Sequence, residues 1–266
     1  MTRPDIVVVS DAETAARRAA DIVAETLGAA VTERGRADWA TTGGSTPIGV
    51  YNALVAMGRG AVPWSQVHTW WGDDRFVLPD HPYSNQKAFL DTLVEAGAYE
   101  TVHSHDDRGR VRVPVANVHP FPTGRAIGGG WDADWCARQL EEELRGAGLD
   151  ESDGWPVFDL VFLGVGADGH LLSVFPGSDA FDSDRWALAI PAPTHIEPHV
   201  ARVTLNPSVV PVARRVLAVV LGASKADVVG RIFGEPSDPR QLPAQLAIRD
   251  GATWILDEAA AVNLRR

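Results

Sequence analysis

The sequence predicts an α/β fold in which a parallel sheet is covered by helices on both faces. Three observations carry that expectation: short continuous apolar runs, stretches of helical periodicity between them, and turn-forming loops at the junctions. Ile6–Val9 is the first such run, of the kind a buried parallel strand shows. From Asp11 to about Arg34, Ala15, Ala19, Ile22, Val23, Thr26 and Leu27 recur at helical spacing. Ala37–Thr41 predicts a second strand, and Pro47 suits the first turn of a helix that runs to about Met57. Gln66–Trp71 predicts a third strand ending in the charged loop Gly72–Arg75, and a helix follows from Ser84 or Asn85 to Val94. Glu100–Gly130, with Pro114, Pro120, Pro122 and three histidines, predicts a long loop holding a short strand at Arg110–Val115. Trp131–Arg145 predicts a helix and Val157–Val165 the most apolar strand. Trp186–Ile190, His199–Leu205 and Arg215–Leu221 predict further strands, and Lys225–Phe233 a helix. Trp254–Leu256 predicts a last strand before a terminal helix. No repeat, Gly/Ser linker or shift in composition divides the chain, so residues 1–266 read as a single domain.

Composition narrows the function. With 266 residues, 45% apolar and 22% charged, the chain resembles an ordinary folded protein, which excludes disordered and fibrous classes. Its only cysteine, Cys136, excludes an internal disulfide and a cysteine-built zinc site. A net charge of −11 argues against nucleic acid and anionic membranes as partners. No apolar run approaches the roughly 20 residues of a bilayer span. The N-terminal segment reads as a strand and not a signal peptide, so the expected location is the cytoplasm. Only two of the 24 basic residues are lysines, Lys87 and Lys225. Coding bias accounts for most of that, but it makes each lysine a place where a compact ammonium is worth asking about.

Parallel strands deliver their following loops to one sheet edge, where ligands bind. In Thr42-Gly-Gly-Ser-Thr-Pro47, Gly43, Gly44, Ser45 and Thr46 combine open backbone N–H groups, hydroxyls and a helix start, the recipe for a phosphate cradle. A plain capped turn would have the same local sequence, and the glycine-to-lysine spacing of a P-loop is missing. Gly164-Val-Gly-Ala-Asp-Gly169 fits the dinucleotide fingerprint, but Pro176-Gly177 leaves no room for the helix it should open. Its glycines instead serve to present Asp168 and His170, an imidazole with a carboxylate two residues away, as a general base requires. A turn histidine bonded to backbone is the plainer alternative. Asp73 and Arg75 follow Trp70-Trp71, so these charges are expected in a cleft. His103, His105 and Asp107 are metal-ligand types without an element to fix them, and His195 and His199 sit among prolines, so no metal is expected. The Gly-x-Ser-x-Gly elbow of the common serine hydrolases does not occur.

Six segments in order then resemble the 6-phosphogluconolactonase family. They are Thr42–Pro47, Trp71-Gly-Asp-Asp-Arg75, Ser84-Asn85, Gly164-x-Gly-x-Asp-Gly-His170 with Ser173-x-Phe-Pro-Gly177, Arg202-Val-Thr-Leu205 and Gly222-Ala-Ser-Lys-Ala226. The resemblance runs from about residue 40 to Leu256–Ala260. It implies a three-layer α/β sandwich with a mostly parallel central sheet, shared with glucosamine-6-phosphate deaminase. It also implies hydrolysis of 6-phosphogluconolactone, a small sugar-phosphate lactone, without metal or other cofactor. By that resemblance His170 is the general base, with Asp73 and Arg75 at the reaction centre. Arg202 and Lys225 hold the phosphate with the Gly43–Thr46 loop, and Asn85 and Asp168 belong to the binding set. The chain departs from the family where Asp74 replaces Glu, Leu171-Leu172 replaces Thr-Ala, and Asn206-Pro207 follows Thr-Leu.

Two rivals fit less well. A glucosamine-6-phosphate deaminase or related isomerase needs a ring-opening Glu at the place of Phe175, which cannot move a proton. A sugar-phosphate sensing domain of a transcription regulator is expected to follow a DNA-binding helix-turn-helix, whereas this sequence opens on the strand Ile6–Val9.

Overall fold

A computed structural model of the chain describes residues 3–58, 60–94 and 113–264. β1 (Asp5–Val9) leads into α1 (Ala12–Arg34), which starts where the Asp11 side chain accepts the Thr14 N–H at 2.7 Å. It stops at Gly35, whose φ of 75° closes the last turn. Ala15, Ala19, Val23, Leu27 and Ala30 form its buried face, small enough for close packing on the sheet. β2 (Ala37–Thr41), α2 (Ser45–Ala56), β3 (Val67–Trp71), β4 (Asp73–Arg75) and α3 (Asn85–Leu93) follow. Next come β5 (Val118–His119), α4 (Thr123–Gly128), α5 (Ala133–Gly146), the hairpin β6 (Glu151–Ser152) and β7 (Trp155–Pro156), and β8 (Leu160–Leu163). The remaining elements are β9 (Ala187–Ile190), β10 (Arg202–Leu205), α6 (Val209–Val212), β11 (Arg215–Val220), α7 (Ala226–Gly234) and β12 (Ala252–Asp257).

Seven strands form the central sheet in the order β1-β12-β11-β8-β2-β3-β5, and every neighbouring pair is parallel. β2 and β8 are buried at every residue, so both sheet faces are covered, as the apolar runs require. The chain leaves β2 toward β3 and leaves β8 toward β11, in opposite directions along the sheet. That divergence opens a crevice at the carboxyl ends of these two strands, the usual ligand position in such sheets.

Four expectations change. Gly72–Arg75 is not a loop: residues 73–75 form β4, which pairs antiparallel with β10 so that Arg75 faces Arg202 and Asp73 faces Thr204. The runs at 186–190 and 199–205 supply β9 and β10 of this second, three-stranded sheet and do not widen the parallel one. The chain crosses between sheets at Gly72, whose N–H donates to the Thr41 carbonyl at 2.8 Å while its own carbonyl accepts from Leu205 N at 2.7 Å. A Cβ there would lie 2.6 Å from Leu172 Cδ2. The stretch after residue 112 is not a loop to Gly130, since it holds β5 and α4, and Val113 bridges Val94 in parallel. Arg110–Arg112, His103, His105 and Asp107 lie outside the described residues. After β12 the chain makes turns, not a helix.

At the opposite end of the strands, Asp159 ties four elements together. Its buried carboxylate accepts from Asp38 N at 2.8 Å and Arg34 Nη2 at 2.7 Å, and Arg214 Nε lies 3.2 Å away. Removing one partner of such a group leaves a buried N–H and two guanidinium groups without their acceptor. Asp159→Ala should lower unfolding free energy by roughly 3 kcal/mol in a urea titration, the scale for breaking a buried ion pair. Asp159→Asn, which keeps an acceptor for the Asp38 N–H, should lose less.

Candidate functional site

The crevice between β2 and β8 opens into a cleft of about 570 Å³. Its first wall is the Thr42–Pro47 turn. Tyr51, fully buried on α2, donates its hydroxyl to the Thr42 carbonyl at 2.5 Å and fixes the start of that turn. Gly44 takes φ 104° and ψ −177°, a conformation open to glycine, and it caps α2 without a side-chain bond. Ser45 and Thr46, the first residues of this twelve-residue helix, line the cleft, and no side chain caps their N–H groups.

The second wall comes from β4 and α3. Asn85, 2% exposed, donates from Nδ2 to the Asp73 carbonyl at 2.9 Å and to Asp73 Oδ1 at 3.2 Å, while its Oδ1 accepts from Arg75 Nη1 at 2.8 Å. Arg75 Nη1 also donates to the Tyr83 carbonyl. Gly43 fits against Asn85 only without a side chain: a Cβ would lie 2.5 Å from the Asn85 Cα. Asp74 points the other way, into the core. Its carboxylate accepts from Arg75 N, Asn85 N and Gln86 Nε2 at 2.6 to 2.8 Å, and from Ser84 Oγ at 3.2 Å.

The third wall follows β8. His170 Nδ1 lies 2.6 Å from Asp168 Oδ1, and the His170 backbone N–H donates to the same oxygen at 3.1 Å. Burial disfavours a charged Asp168, but the bonds and charge of His170 together with His195 outweigh it and hold the carboxyl well below its usual range. Asp168 is thus an ionised acceptor, which makes Nδ1 the donor and leaves Nε2 of a neutral His170 ring to accept. No helix opens at Gly169, where turns and a short bridge follow, so the glycines do not have the setting of a dinucleotide fingerprint.

Cationic groups complete the cleft. Arg202 on β10 is 3% exposed and donates from Nη2 to the Pro198 carbonyl at 2.9 Å. The Nε groups of Arg202 and Arg75 are buried and have no hydrogen-bond partner among the described residues. Burial, reinforced by the Arg75 charge, pulls the Arg202 guanidinium down from its ordinary value. Lys225 follows β11 through Gly222 and donates Nζ to the Val165 carbonyl at 2.7 Å; burial lowers it against the pull of Asp168.

The structure brings Gly43, Gly44, Ser45, Thr46, Asp73, Arg75, Asn85, His170, Arg202 and Lys225 to this cleft, with Asp168 directly behind His170. The sequence reading missed Ser173, whose hydroxyl donates to Asp73 Oδ2 at 2.6 Å, and His195, whose Nε2 lies 3.2 Å from Asp168 Oδ2. Ser173 was visible only as a member of a motif. No three His, Cys, Asp or Glu side chains among the described residues converge as metal ligands.

A family model described as glucosamine-6-phosphate isomerases/6-phosphogluconolactonase matches residues 10–255. The chain belongs to this family. Among curated relatives, a protein of Synechocystis named 6-phosphogluconolactonase is 35% identical, covering 98% of this chain and 99% of its own. One of the same name from Mycobacterium tuberculosis is 34% identical over 90% of this chain and 89% of its own. The solved 6-phosphogluconolactonase from Trypanosoma cruzi superposes with a TM-score of 0.82 at 25% identity, covering 100% of this chain and 99% of that one. A solved glucosamine-6-phosphate deaminase shares the fold at 19% identity, with a TM-score of 0.74 over 97% of this chain and 99% of its own. The three-layer α/β architecture is therefore that of the family.

Within this family fold Asp74 carries a pH signature of its own. Burial is the largest influence and, with the Asp73 charge, pushes its carboxyl from 3.8 up to about 7 against its hydrogen bonds. A proton held more tightly in the folded than in the unfolded chain stabilises the fold in acid. That contribution is complete below about pH 4 and is lost as pH rises through about 7. Asp74→Asn should flatten the corresponding decline when melting temperature is followed from pH 5 to 8.

Proposed function

We propose that the chain hydrolyses 6-phospho-D-glucono-1,5-lactone to 6-phosphogluconate, the lactonase step of the oxidative pentose phosphate pathway. The observation that carries this reading is the oriented His170–Asp168 pair in one cleft with two arginines whose buried Nε groups lack partners among the described residues. A base beside unsatisfied cationic donors suits attack on a carbonyl of an anionic substrate. Neutral His170 takes a proton at Nε2 from a water whose oxygen bonds to the lactone carbonyl carbon. Arg75 stabilises the oxyanion, the bond from that carbon to the ring oxygen breaks, and His170 returns the proton to the ring oxygen. Asp168 holds the ring and offsets its charge while it is protonated. Asp73, held by Ser173 and Asn85, lines the reaction centre. Arg202, Lys225 and the Gly43–Thr46 turn bind the phosphate.

Phe175 favours this over the deaminase reading. Its ring lies 4.7 Å from that of His170, where ring opening would need an ionisable group. We read residues 1–266 as one domain of this type, acting in the cytoplasm on a small molecule.

A coupled assay with freshly made lactone, corrected for spontaneous opening, tests the proposal. His170→Asn should lower kcat by roughly 10²–10⁴, the contribution of a positioned base. More than a third of wild-type kcat remaining would remove His170 from the role. Lys225→Ala should mainly raise KM, by about ten- to a hundredfold, since a charge-assisted contact remote from the carbonyl acts as uniform binding. Equal turnover of unphosphorylated gluconolactone would contradict the phosphate assignment.

A further inference from the structure

We propose that His195 is a positioning residue that fixes the Asp168 carboxylate and, through it, the His170 ring; this rests on the lactonase reading of His170. His195 lies on the segment from 191 to 201 that joins β9 to β10, with its Nε2 3.2 Å from Asp168 Oδ2. The His170 contacts both fall on the other oxygen, Oδ1. An ionised carboxylate only accepts, so His195 must donate from Nε2. A carboxylate held at one oxygen still turns about its last, broad side-chain torsion. With Oδ2 held as well, Oδ1 stays aimed at His170.

The segment that carries His195 is itself fastened. The Pro193 carbonyl lies 2.7 Å from His199 Nδ1, and the Pro198 carbonyl accepts from Arg202 Nη2. Ile196 and Glu197, next in sequence, line the cleft. The contact from His195 therefore joins the base pair to the segment that also meets a phosphate-binding arginine. His195 is 54% exposed, so this link can be removed without opening the core.

Phe175 supplies the competing account. Its ring lies 4.7 Å from His170 and 5.5 Å from His195, so His195 could matter only as a ring packed on a ring. The two accounts separate with His195→Gln, which keeps a donor and loses the ring, and His195→Phe, which does the reverse. His195→Ala loses both. If His195 positions Asp168, the Phe and Ala variants should lose roughly ten- to a hundredfold in kcat with KM within about twofold, the scale of a small misplacement of a catalytic group. The Gln variant should recover most of that loss.

A second measurement does not depend on turnover. In proton–nitrogen spectra of the imidazoles, the His170 Nδ1–H signal should persist in wild type and His195→Gln. It should broaden by solvent exchange in His195→Phe and His195→Ala. Rescue by Phe and not by Gln, or wild-type behaviour of all three variants in both measurements, would overturn the proposal. If the wild type fails to open the lactone, the lactonase reading falls, and the imidazole spectra alone then decide whether His195 positions Asp168.

Discussion

A carboxylate with no access to solvent has to be matched by donors, and in this chain that demand organises the site. Asp74 is completely buried, and its partners come from its own strand and from the first turn of α3. Those bonds place Asn85, and Asn85 in turn sets three things at once. It holds Asp73 through two bonds, orients Arg75 through a third, and presses so closely on Gly43 that no side chain fits there. Gln86 extends the same chain to the Phe121 carbonyl at 2.9 Å. The strand end, the helix start and the small-residue turn are thus spaced by one buried carboxyl and the amide next to it. Leaving a buried polar group partly unmatched costs more than the individual bonds contribute, so the arrangement tolerates little drift.

The chain as a whole repels anions, with a net charge of −11, yet its cleft gathers Arg75, Arg202 and Lys225 beside a helix start. Each of the three spends one donor on a backbone carbonyl: Tyr83, Pro198 and Val165 respectively. A carbonyl orients a cation without cancelling its charge, which a carboxylate would do. Direct ion pairs are instead made by Arg34, Arg36, Arg185 and Arg214, which lie outside the cleft. The contrast in partners separates the cations of the cleft from those that join elements more clearly than sequence position does.

Most of the central sheet was legible because its strands carry short apolar runs and the helices between them keep their period. β1, however, proves to be an edge strand with Ile6 and Val8 exposed, and not a buried one. Ile6–Val9, Ala37–Thr41 and the 215–221 run fall within a residue or two of β1, β2 and β11. The second sheet was hidden in its first strand. Asp73-Asp74-Arg75 carries three charges, and local pattern cannot distinguish a charged strand from a charged loop. Its strand character comes from pairing with β10, more than 120 residues away. The site residues were readable where they lie in loops after parallel strands, since topology alone gathers those loops. His195 was not. It meets Asp168 across 27 residues through a proline-rich segment whose course only the fold determines.

The glycines of Gly164-x-Gly-x-x-Gly169 illustrate how a pattern can survive a change of purpose. In a dinucleotide site the middle glycine lets backbone approach a pyrophosphate. Here a Cβ at Gly166 would lie 2.0 Å from His170 Nδ1 and 2.6 Å from Asp168 Oδ1. The space that a cofactor would take is filled by the protein's own imidazole and carboxylate. Gly169, at φ 91°, then turns the chain so that the ring returns over Gly166, and the Gly166 N–H closes the turn on the His170 carbonyl at 2.9 Å. The absence of a side chain at 166 is therefore a condition for the His170–Asp168 bond. Spacing in the sequence records that condition without saying which group occupies the room.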